Sequence, residues 1–391
     1  MIQAIEAYTE EHLPRWIQMR RKLHQLAEVS GEEAQTAAQL EKWLRQTGPA
    51  ALHTNLGGQG IIAVYGPQDA PKQIMLRAEL DALPIADPPE WEHRAHNPAA
   101  GHKCGHDGHM MFLIALAEYF GENPPEDFSI MLLFQQAEET GDGAAQMIAT
   151  ETFAALKPDV IIALHNLPGY ARHAVVLRSG VFASASTGLR IKLKGATSHA
   201  AHPDDGISPA PALSQLMQLL PAIPGQRAPL QQMGLVTVVH ARLGEQAFGT
   251  APGEAELMAT FRAPETHTVQ AMLGTACKLA KGLAVTYGLA VDFEYKEVFE
   301  ASVNNPELCQ RTAKIAENLG LEVHWREAPF MWSEDFGRFS RYGTTILFGL
   351  GAGLEHPQLH SEGYDFPDEL LPTGLRVYAG LINDLVHNPR A

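Results

Sequence analysis

The chain has 391 residues, 45% of them hydrophobic and 19% charged, which is typical of a globular protein with enough apolar surface for a core. Its formal net charge of -16 repels nucleic-acid phosphates and anionic lipid, which argues against nucleic acid and membrane surfaces as partners. Three cysteines are too few for a disulfide framework, and the first residues lack the basic start and apolar run of a signal peptide, so we expect a cytoplasmic protein.

Apolar residues recur along the chain with alternating helical and strand-like periods, and this alternation predicts an α/β fold. A long helical region, with a break near Ser30, is predicted over residues 11–46. Further helices are predicted over Gly108–Phe120 and Gly143–Leu156. Short apolar runs typical of buried strands occur at Gly60–Tyr65, Gln73–Arg77, Ser129–Phe134, Val160–Leu164 and Thr345–Leu350.

In the middle of the chain the apolar residues follow a different pattern, which predicts the element order β-α-β-β-α-β of a ferredoxin-like module. We therefore expect an inserted domain over residues 183–298, within a larger α/β domain built from residues 1–182 and 299–391. The predicted elements of the insertion are Ser186–Lys194, Pro209–Leu220, Leu235–Leu243, Ala255–Arg262, His267–Tyr287 and Ala290–Tyr295.

Acidic or imidazole side chains follow three of the predicted strands at the point where each strand ends. Asp81 follows the first of these strands, Glu138 and Glu139 follow the next, and His165 follows the third. Ligands of open parallel sheets bind beyond the carboxyl ends of the strands, so these side chains are candidates for one shared site. A single acidic residue in such a place is ordinarily a helix cap or a solvated loop residue, whereas three strand ends together favour a site.

The segment GHKCGHDGHMM, residues 101–111, carries five potential metal ligands within eight residues. Thiolate, imidazole and carboxylate donors together suit zinc, manganese, cobalt or nickel. One histidine here would be interpreted as a capping or core residue, but five donors in one loop predict a metal site. Because the sequence has no CxxC pair and only one cysteine in this loop, an open hydrolytic site is favoured over a closed structural one. The candidate donors are His102, Cys104, His106, Asp107 and His109.

The adjacent carboxylates of Glu138 and Glu139 suggest that the two side chains have different roles at the site. Neighbouring side chains of an extended chain point to opposite sides, so one carboxylate can bind metal while the other faces a bound water molecule. A carboxylate beside such a water can act as general base and then protonate the leaving amine. The alternative is a solvated acidic pair at the start of a helix. Nearer the C-terminus, His356 and His360 lie on a polar loop, which favours surface histidines or one distant fifth ligand.

Five segments together are specific enough to show a family resemblance. The chain resembles the di-metal amidohydrolases and peptidases of the aminoacylase and carboxypeptidase G family, and within it the branch of hippurate hydrolase, aminobenzoyl-glutamate hydrolase and auxin-conjugate hydrolase. The resemblance runs from residues 20–36 to residues 360–374, which is nearly the whole chain. The segments that carry it are KCGHDGHM, FQQAEETGDGA, ALHNLPG, SHAAHPDDGISP and WSEDF.

This resemblance implies a zinc-exopeptidase-like catalytic domain with a mixed, largely parallel sheet. It also implies that the inserted ferredoxin-like domain serves as lid and dimerisation surface, and that the protein binds two divalent metal ions. By the same resemblance, Cys104 would bridge the two ions. Glu139 and His360 would complete the ligands of one ion, and His106 and His165 those of the other.

The resemblance further implies residues that act on the substrate. Glu138 matches the family's general base, and Asp81 matches a carboxylate that orients a ligand. His199 matches a histidine that reaches the active site of the other subunit and stabilises the tetrahedral oxyanion. Arg262 matches an arginine linked to the substrate carboxylate. We therefore expect a homodimer that pairs through the lid, with the strand Ser186–Lys194 at the paired edge.

Four positions depart from the family's pattern. Glu79 stands where relatives carry an aspartate, and we expect this change to have little effect. Thr197 and Ser198 replace a pair of glycines. Gly249 stands where relatives carry a lid asparagine that helps to hold substrate, so we expect the substrate contacts to differ while the metal chemistry is retained.

The expected function is metal-dependent cleavage of the amide bond of an N-acyl amino acid or a related small amide conjugate, with Glu138 as general base. A dipeptidase or aminopeptidase of the same fold is the first alternative. A catalytically silent metal-binding relative is the second, but its mark would be a lost ligand or a lost Glu138, and neither is lost. A nucleophilic hydrolase is disfavoured because the GxSxG motif is absent and Cys104 is better used as a ligand.

Overall fold

The computed structural model describes residues 1–229 and 233–388, which form two compact units. The segment Pro329–Glu334 groups with the second unit, because Ser184 donates both its N–H and its hydroxyl to the Phe330 carbonyl, at 3.1 and 2.6 Å. The first unit comprises Met1–Phe182, Ser302–Ala328 and Asp335–Ala391, and the second comprises Ala183–Ala301 and Pro329–Glu334.

The longest helices lie at the two ends of the chain and in the second unit. Among the described residues, no helix combines the length and the apolar character needed to cross a membrane. Short 3-10 helices cover Pro203–Asp205, Leu220–Ala222 and Asp335–Arg341. The α-helices are α1 (Ile2–Leu26), α2 (Ala34–Gln46), α3 (His106–Glu122), α4 (Gly143–Ile148), α5 (Glu151–Ala155), α6 (Ala210–Leu219), α7 (Pro224–Arg227), α8 (Thr266–Tyr287), α9 (Pro306–Asn318) and α10 (Leu370–His387).

The strands alternate with helices in the first unit and cluster in the middle of the chain. Most are short, and the longest belong to the two main sheets. They are β1 (Ala51–Leu56), β2 (Gly60–Tyr65), β3 (Gln73–Glu79), β4 (Ser129–Gln135), β5 (Val160–Pro168), β6 (Val175–Leu177), β7 (Gly180–Ala183), β8 (Ala185–Lys194), β9 (Ser198–His199), β10 (Leu235–Leu243), β11 (Thr250–Ala251), β12 (Glu254–Ala263), β13 (Ala290–Phe299), β14 (Ser302–Asn304), β15 (Val323–Trp325) and β16 (Thr344–Gly353).

The first unit is built on a mixed sheet whose strands lie, within the described residues, in the order β1-β2-β4-β3-β5-β16-β6-β15. The central strands β4, β3, β5 and β16 run parallel, whereas β1 and β2 add antiparallel neighbours at one side. Strands β3, β4 and β5 are buried along nearly their whole length, as expected for parallel strands covered by helices. The predicted α/β fold with a mixed, largely parallel sheet is therefore confirmed.

Two helical predictions in the first unit need correction. The region predicted over residues 11–46 begins at Ile2, and it is divided into α1 and α2 around the predicted break near Ser30. The helix predicted over Gly143–Leu156 is also divided, into α4 and α5. The second division follows from Thr150, whose side chain caps α5 by accepting a hydrogen bond from the backbone N–H three residues further on.

The second unit has a ferredoxin-like sheet in the order β10-β12-β8-β13, with every neighbouring pair antiparallel. With α6 and α8, the chain order is β-α-β-β-α-β, so the predicted ferredoxin-like module is confirmed. The predicted strand Ser186–Lys194 corresponds to β8, which pairs with β12 on one side and β13 on the other. The prediction that this strand forms a paired edge is therefore wrong, because the topology places it in the interior and leaves β10 and β13 at the edges.

Candidate metal centre

The ends of the central strands in the first unit bring the candidate side chains to one edge of the sheet. Asp81 lies shortly after β3, and Glu138 and Glu139 lie shortly after β4. His165 lies inside β5, and not beyond its end as predicted, because β5 continues its pairing with β16 as far as Pro168. Since β3, β4 and β5 are parallel neighbours, these residues share the carboxyl edge at which ligands of such sheets bind.

Cys104 is common to two groups of potential ligands. Its Sγ and one ring nitrogen each of His106 and His165 lie within 4.8 Å of one another. The same Sγ, a carboxylate oxygen of Glu139 and a ring nitrogen of His360 form a second group within the same 4.8 Å limit. Cys104 Sγ is 3.5 Å from His165 Nε2, and Glu139 Oε1 is 3.5 Å from His360 Nε2. A thiolate shared in this way would be a ligand in both groups if each held a cation.

Backbone carbonyls fix which ring nitrogen two of these histidines present. His106 Nδ1 is 2.9 Å from the Asp81 carbonyl oxygen, and His165 Nδ1 is 2.8 Å from the Asn166 carbonyl oxygen. Because a carbonyl only accepts, each Nδ1 is the donor and carries the proton. The lone pair of each neutral ring is then on Nε2, which is the arrangement that orients a histidine as a metal ligand.

The electrostatic surroundings of the two rings differ. Burial alone would lower the pKa of His106, but the hydrogen bond to Asp81 and the charges of Glu79 and Asp81 raise it to about 10. The carboxylates therefore create a potential that stabilises positive charge at this position. Burial and the neighbouring His109 lower the pKa of His165 to about 3, which keeps that ring neutral, the form that binds metal.

Two buried polar atoms of the site fit a cation. Within the described part of the chain, His106 Nε2 and Glu139 Oε1 make no hydrogen bond. An unsatisfied buried polar atom costs about 1–3 kcal/mol, so native proteins rarely leave one without a partner. Both atoms belong to residues of the ligand groups around Cys104, and thiolate, imidazole and carboxylate donors suit a divalent metal. The residues present therefore fit metal ions at this site.

Glu138 and Glu139 lie in a tight turn. Ala137 has a φ of 49°, and Gly141 donates its N–H to the Glu138 carbonyl at 2.8 Å. The expectation that the two carboxylates point to opposite sides of an extended chain is therefore wrong. Both carboxylates and the His106 ring instead place ligand atoms within 4.8 Å of one another, and Glu138 Oε2 is 4.0 Å from His106 Nε2.

His360 is the candidate that the C-terminal loop brings to the site. Its φ of 61° is a left-handed conformation that residues other than glycine rarely adopt, and such strain persists only where surrounding structure fixes it. Its N–H donates to the Lys103 carbonyl at 2.8 Å, which ties the loop to the segment next to Cys104. The other candidate, His356, has its Nε2 2.8 Å from the Asp365 carbonyl oxygen.

The sequence pattern that defines peptidase family M20/M25/M40 matches residues 75–384, which is more than half of the chain. This range includes every candidate ligand. The chain belongs to this family. The resemblance inferred from the motifs is thereby confirmed. As a peptidase is by definition a hydrolase of amide bonds, the predicted enzyme class is confirmed as well.

Two relatives of this protein have names that describe the cleavage of an amide bond. Hippurate hydrolase from Campylobacter jejuni is 27% identical over 370 residues, which cover 93% of this chain and 94% of the relative. N-acetyldiaminopimelate deacetylase from Listeria monocytogenes is 27% identical over 365 residues, which cover 93% and 98%. The crystal structure of a dinuclear metal-binding peptidase of the M20 family from Bacillus subtilis matches with a TM-score of 0.78 at 22% identity, over 97% of this chain and 99% of that one, so the fold is shared.

A buried network adjoins the candidate ligands, and it includes His109, which the sequence had suggested as a metal donor. Arg77 forms ion pairs with Glu79 and, at 2.7 Å, with Asp335. Glu79 Oε2 is 2.7 Å from His109 Nδ1, and the other ring nitrogen is 2.6 Å from Asn166 Oδ1. A single polar residue in a loop or strand does not by itself indicate a functional role. For Asn166 and Asp335, the only indication in the sequence was that they lie inside the motifs ALHNLPG and WSEDF.

Two predicted site residues lie in the second unit. His199, on β9, is exposed, and its Nδ1 accepts a hydrogen bond from Ala201 N–H at 3.0 Å. Arg262, on β12, donates to Ser333 Oγ at 3.2 Å, and burial lowers the pKa of its guanidinium. At Gly249, a Cβ would meet no atom of the described residues within 4 Å, so the missing asparagine is not explained by lack of space.

Proposed function

We propose that this protein is a metal-dependent amidohydrolase that cleaves the amide bond of N-acyl amino acids or related small amide conjugates. The observation that carries the proposal is the Cys104 Sγ common to two ligand groups, with the Glu138 carboxylate beside one of them. The names of the two relatives support the substrate class, because hippurate and N-acetyldiaminopimelate are both N-acyl amino acids.

The ligand groups support two divalent ions. We assign Cys104, His106 and His165 to one ion, and Cys104, Glu139 and His360 to the other. The mixed sulfur, nitrogen and oxygen donors are compatible with zinc, manganese, cobalt or nickel. When bound, such a pair supplies Lewis acidity, which polarises the substrate carbonyl and lowers the pKa of a water molecule.

Glu138 is the proposed general base. Its Oε1 accepts a hydrogen bond from Asp335 N–H at 3.3 Å, while its Oε2 faces His106 at 4.0 Å. One oxygen is thus held by the protein and the other is directed toward the ligand groups. This carboxylate takes a proton from the attacking water and then gives it to the nitrogen of the leaving amine. Asp81 is proposed to orient His106, whose Nδ1 is 3.3 Å from Asp81 Oδ1.

We assign substrate recognition to the lid domain, residues 183–298, and catalysis to the domain of residues 1–182 and 299–391. Arg262 is proposed to bind the substrate carboxylate, since a guanidinium pairs with a carboxylate through two parallel hydrogen bonds. His199 is proposed to donate a hydrogen bond to the tetrahedral oxyanion. Its exposed side chain is available for such a contact.

We propose a homodimer that pairs through the lid, with β10 at the interface. This edge strand exposes Leu235, Val239 and Leu243, which are large apolar side chains. The other edge, β13, carries charged residues such as Glu294 and Lys296, a common device that protects an edge from pairing. An exposed apolar edge is the better candidate for contact with a second copy.

We also propose the cytoplasm as the location of the protein. Cys104, Cys277 and Cys309 form no disulfide. A reducing compartment keeps thiols in this state, and it would keep the Cys104 sulfur available as a ligand.

A hydrolysis screen tests the proposed function. The full chain, reconstituted separately with zinc, manganese, cobalt and nickel, is offered N-acetyl, N-benzoyl and indole-acyl amino acids, together with dipeptides and aminopeptidase substrates. We expect release of the free amino acid from at least one N-acyl class, and release slower by about 10²- to 10⁴-fold with the Glu138→Gln variant under the same conditions. Activity confined to peptides would replace the proposal with a dipeptidase or aminopeptidase, and metal binding without any hydrolysis would indicate the silent relative.

A further inference from the structure

The segment between α1 and α2 contacts the turn that carries the candidate base. Glu33, at the end of this segment, is fully buried. Its Oε1 accepts two hydrogen bonds, from Ala137 N–H at 2.8 Å and from Gly31 N–H at 2.9 Å. Ala137 immediately precedes Glu138 in the chain, so Glu33 holds the backbone at the entry to the catalytic turn.

The same segment supports the turn at a second point. Ser30 Oγ donates to Asp81 Oδ2 at 2.6 Å. The same oxygen accepts the N–H of Glu139 at 2.9 Å. The backbone on both sides of Glu138 is therefore held by carboxylates, one from Glu33 directly and one from Asp81, which Ser30 orients.

The turn needs these hydrogen bonds because the backbone of its first residue, Ala137, is strained. Ala137 has a φ of 49°, a region that costs a non-glycine residue about 1–3 kcal/mol and persists only when its surroundings fix it. The carboxylate that fixes it is itself in an unfavourable place. Within the described residues Glu33 Oε2 makes no hydrogen bond, and burial together with the charge of Asp81 raises the pKa of Glu33 to about 7. Burying a carboxyl group that lacks a full set of hydrogen bonds lowers the free energy of unfolding, so the hydrogen bonds that Glu33 does make have to offset this cost.

We propose that Glu33 is a positioning residue for the reaction, which holds the turn at Ala137 so that Glu138 and Glu139 keep their separate tasks. The inference rests on the proposed function, since it takes Glu138 as general base and Glu139 as metal ligand. Without the acceptor, the Ala137 peptide relaxes toward negative φ, and the two following side chains turn away from the positions they occupy beside His106.

The test compares Glu33→Ala with Glu32→Ala in the full, metal-reconstituted chain. Glu32 is the exposed neighbour in the same segment and serves as the matched control. For Glu33→Ala we expect kcat/KM to fall by about 10- to 100-fold, the usual effect of losing a residue that supports metal ligands. Mn²⁺ affinity, measured from the EPR signal of the free ion, should weaken together with it, while Glu32→Ala matches the unaltered protein in both.

Two conservative variants separate positioning from folding. Glu33→Gln keeps an acceptor at the same distance from Ala137, so kcat/KM and Mn²⁺ affinity should remain within a few-fold. Glu33→Asp keeps the carboxylate but is one methylene shorter, so both should fall as in Glu33→Ala. If Glu33→Ala does not fold, the comparison of Gln with Asp still decides, and full activity of Glu33→Asp with loss in Glu33→Gln overturns the proposal.

Failure of the inference can be told apart from failure of the proposed function. If the unaltered protein hydrolyses none of the amides, the proposed function is rejected, but Mn²⁺ affinity still reports on the turn. A weaker Mn²⁺ affinity of folded Glu33→Ala than of Glu32→Ala then supports the positioning role. Equal affinities, or equal kcat/KM values where activity exists, overturn it.

Discussion

Three buried histidines of this chain do not all have their pKa shifted in the same direction, because different groups face them. Burial lowers the pKa of a histidine, and at His165 burial and the neighbouring His109 lower it to about 3. At His106 and His24 the hydrogen-bonded carboxylates overcome burial, and the pKa is raised to about 10 and about 9. At the scale of single residues, the groups that face each ring therefore decide the direction in which its pKa moves.

The Glu138→Gln variant tests the base. The substitution keeps the size and polarity of the side chain but removes its ability to accept the proton from water. We expect kcat to fall by about 10²- to 10⁴-fold, the usual contribution of general acid–base catalysis. Metal content, measured by elemental analysis, should stay near that of the unaltered protein, since Glu138 is not assigned as a ligand. Activity within a few-fold of the original would mean that another group is the base.

His24 gives a prediction for stability against pH. Its ring lies between Asp107 and Asp87, at 2.9 and 3.1 Å. Burial opposes the charged form, but these hydrogen bonds raise the pKa from 6.5 to about 9. The protonated ring therefore stabilises the fold fully below the unfolded value, and this contribution is lost as the pH rises through about 9. The shift corresponds to at most about 3 kcal/mol.

The measurement is the free energy of unfolding by urea at several pH values, for the metal-loaded protein and for His24→Gln. The unaltered protein should exceed the variant in stability near neutral pH, and this excess should shrink between about pH 6.5 and about pH 9. A difference that does not change with pH would show that His24 is not charged in the folded protein. Metal loading is needed because it removes the titration of His106 from the comparison.

At the scale of elements, the turn between β4 and α4 depends on a close backbone approach. Gly143, the first residue of α4, donates its N–H to the Ala137 carbonyl at 3.1 Å. A Cβ placed on Gly143 would lie 1.6 Å from the Gln136 carbonyl oxygen, which is an impossible contact with backbone. The second glycine of the motif FQQAEETGDGA, Gly143, is therefore required because two backbone segments meet there.

The Gly143→Ala variant should disturb this turn and with it the base. We expect a large loss of kcat and a lower thermal midpoint, because Gln136 must move and Glu138 follows in the same turn. The matched control is Gly274→Ala in α8, where a Cβ meets no atom of the described residues within 4 Å. That change should stabilise the helix by about 0.5–1 kcal/mol and leave activity intact. Equal behaviour of the two variants would contradict the role of Gly143.

At the scale of the whole molecule, the proposed dimer makes the active site a shared structure. If His199 of each copy acts in the other, each subunit donates one histidine and receives one, as a twofold contact requires. The interior position of β8 moves the proposed contact to β10, whose Val239 is 57% exposed. The interface and the catalytic exchange are thus two separately testable parts of one proposal.

Complementation tests the exchange. Glu138→Gln and His199→Ala proteins, each inactive, are mixed in equal amounts under conditions in which subunits exchange. Half of the dimers are then mixed and each has one complete site, so about a quarter of all sites should become active if pairing is twofold. With Val239→Lys introduced into both proteins, dimers should be lost by sedimentation and activity should not recover. No recovery despite demonstrated exchange would show that His199 does not act across the interface.

The sequence by itself determined the elements that depend on local pattern and the chemistry that depends on a dense motif. The bounds of β2 and β10 agree with the predicted Gly60–Tyr65 and Leu235–Leu243, because alternating or continuous apolar residues act over a few positions. The donors of residues 101–111 could be named because five in one loop form a dense pattern. The structure places Cys104 and His106 in the ligand groups, whereas Asp107 pairs with Arg20 and His109 with Glu79. The motifs also identified the family, and the family match over residues 75–384 confirms it.

Only the tertiary structure decided features that depend on residues far apart in the chain. Helix α10 was not predicted, and it contains Gly374 and Gly380, residues that lower helix propensity. They are needed there, since Phe112 occupies the space beside Gly374 and Ile315 the space beside Gly380. The interior place of β8, the conformation of the turn at Ala137 and the support of that turn by Glu33 were likewise hidden. The physical reason is that each is set by packing or hydrogen bonding between distant segments, which no local period records.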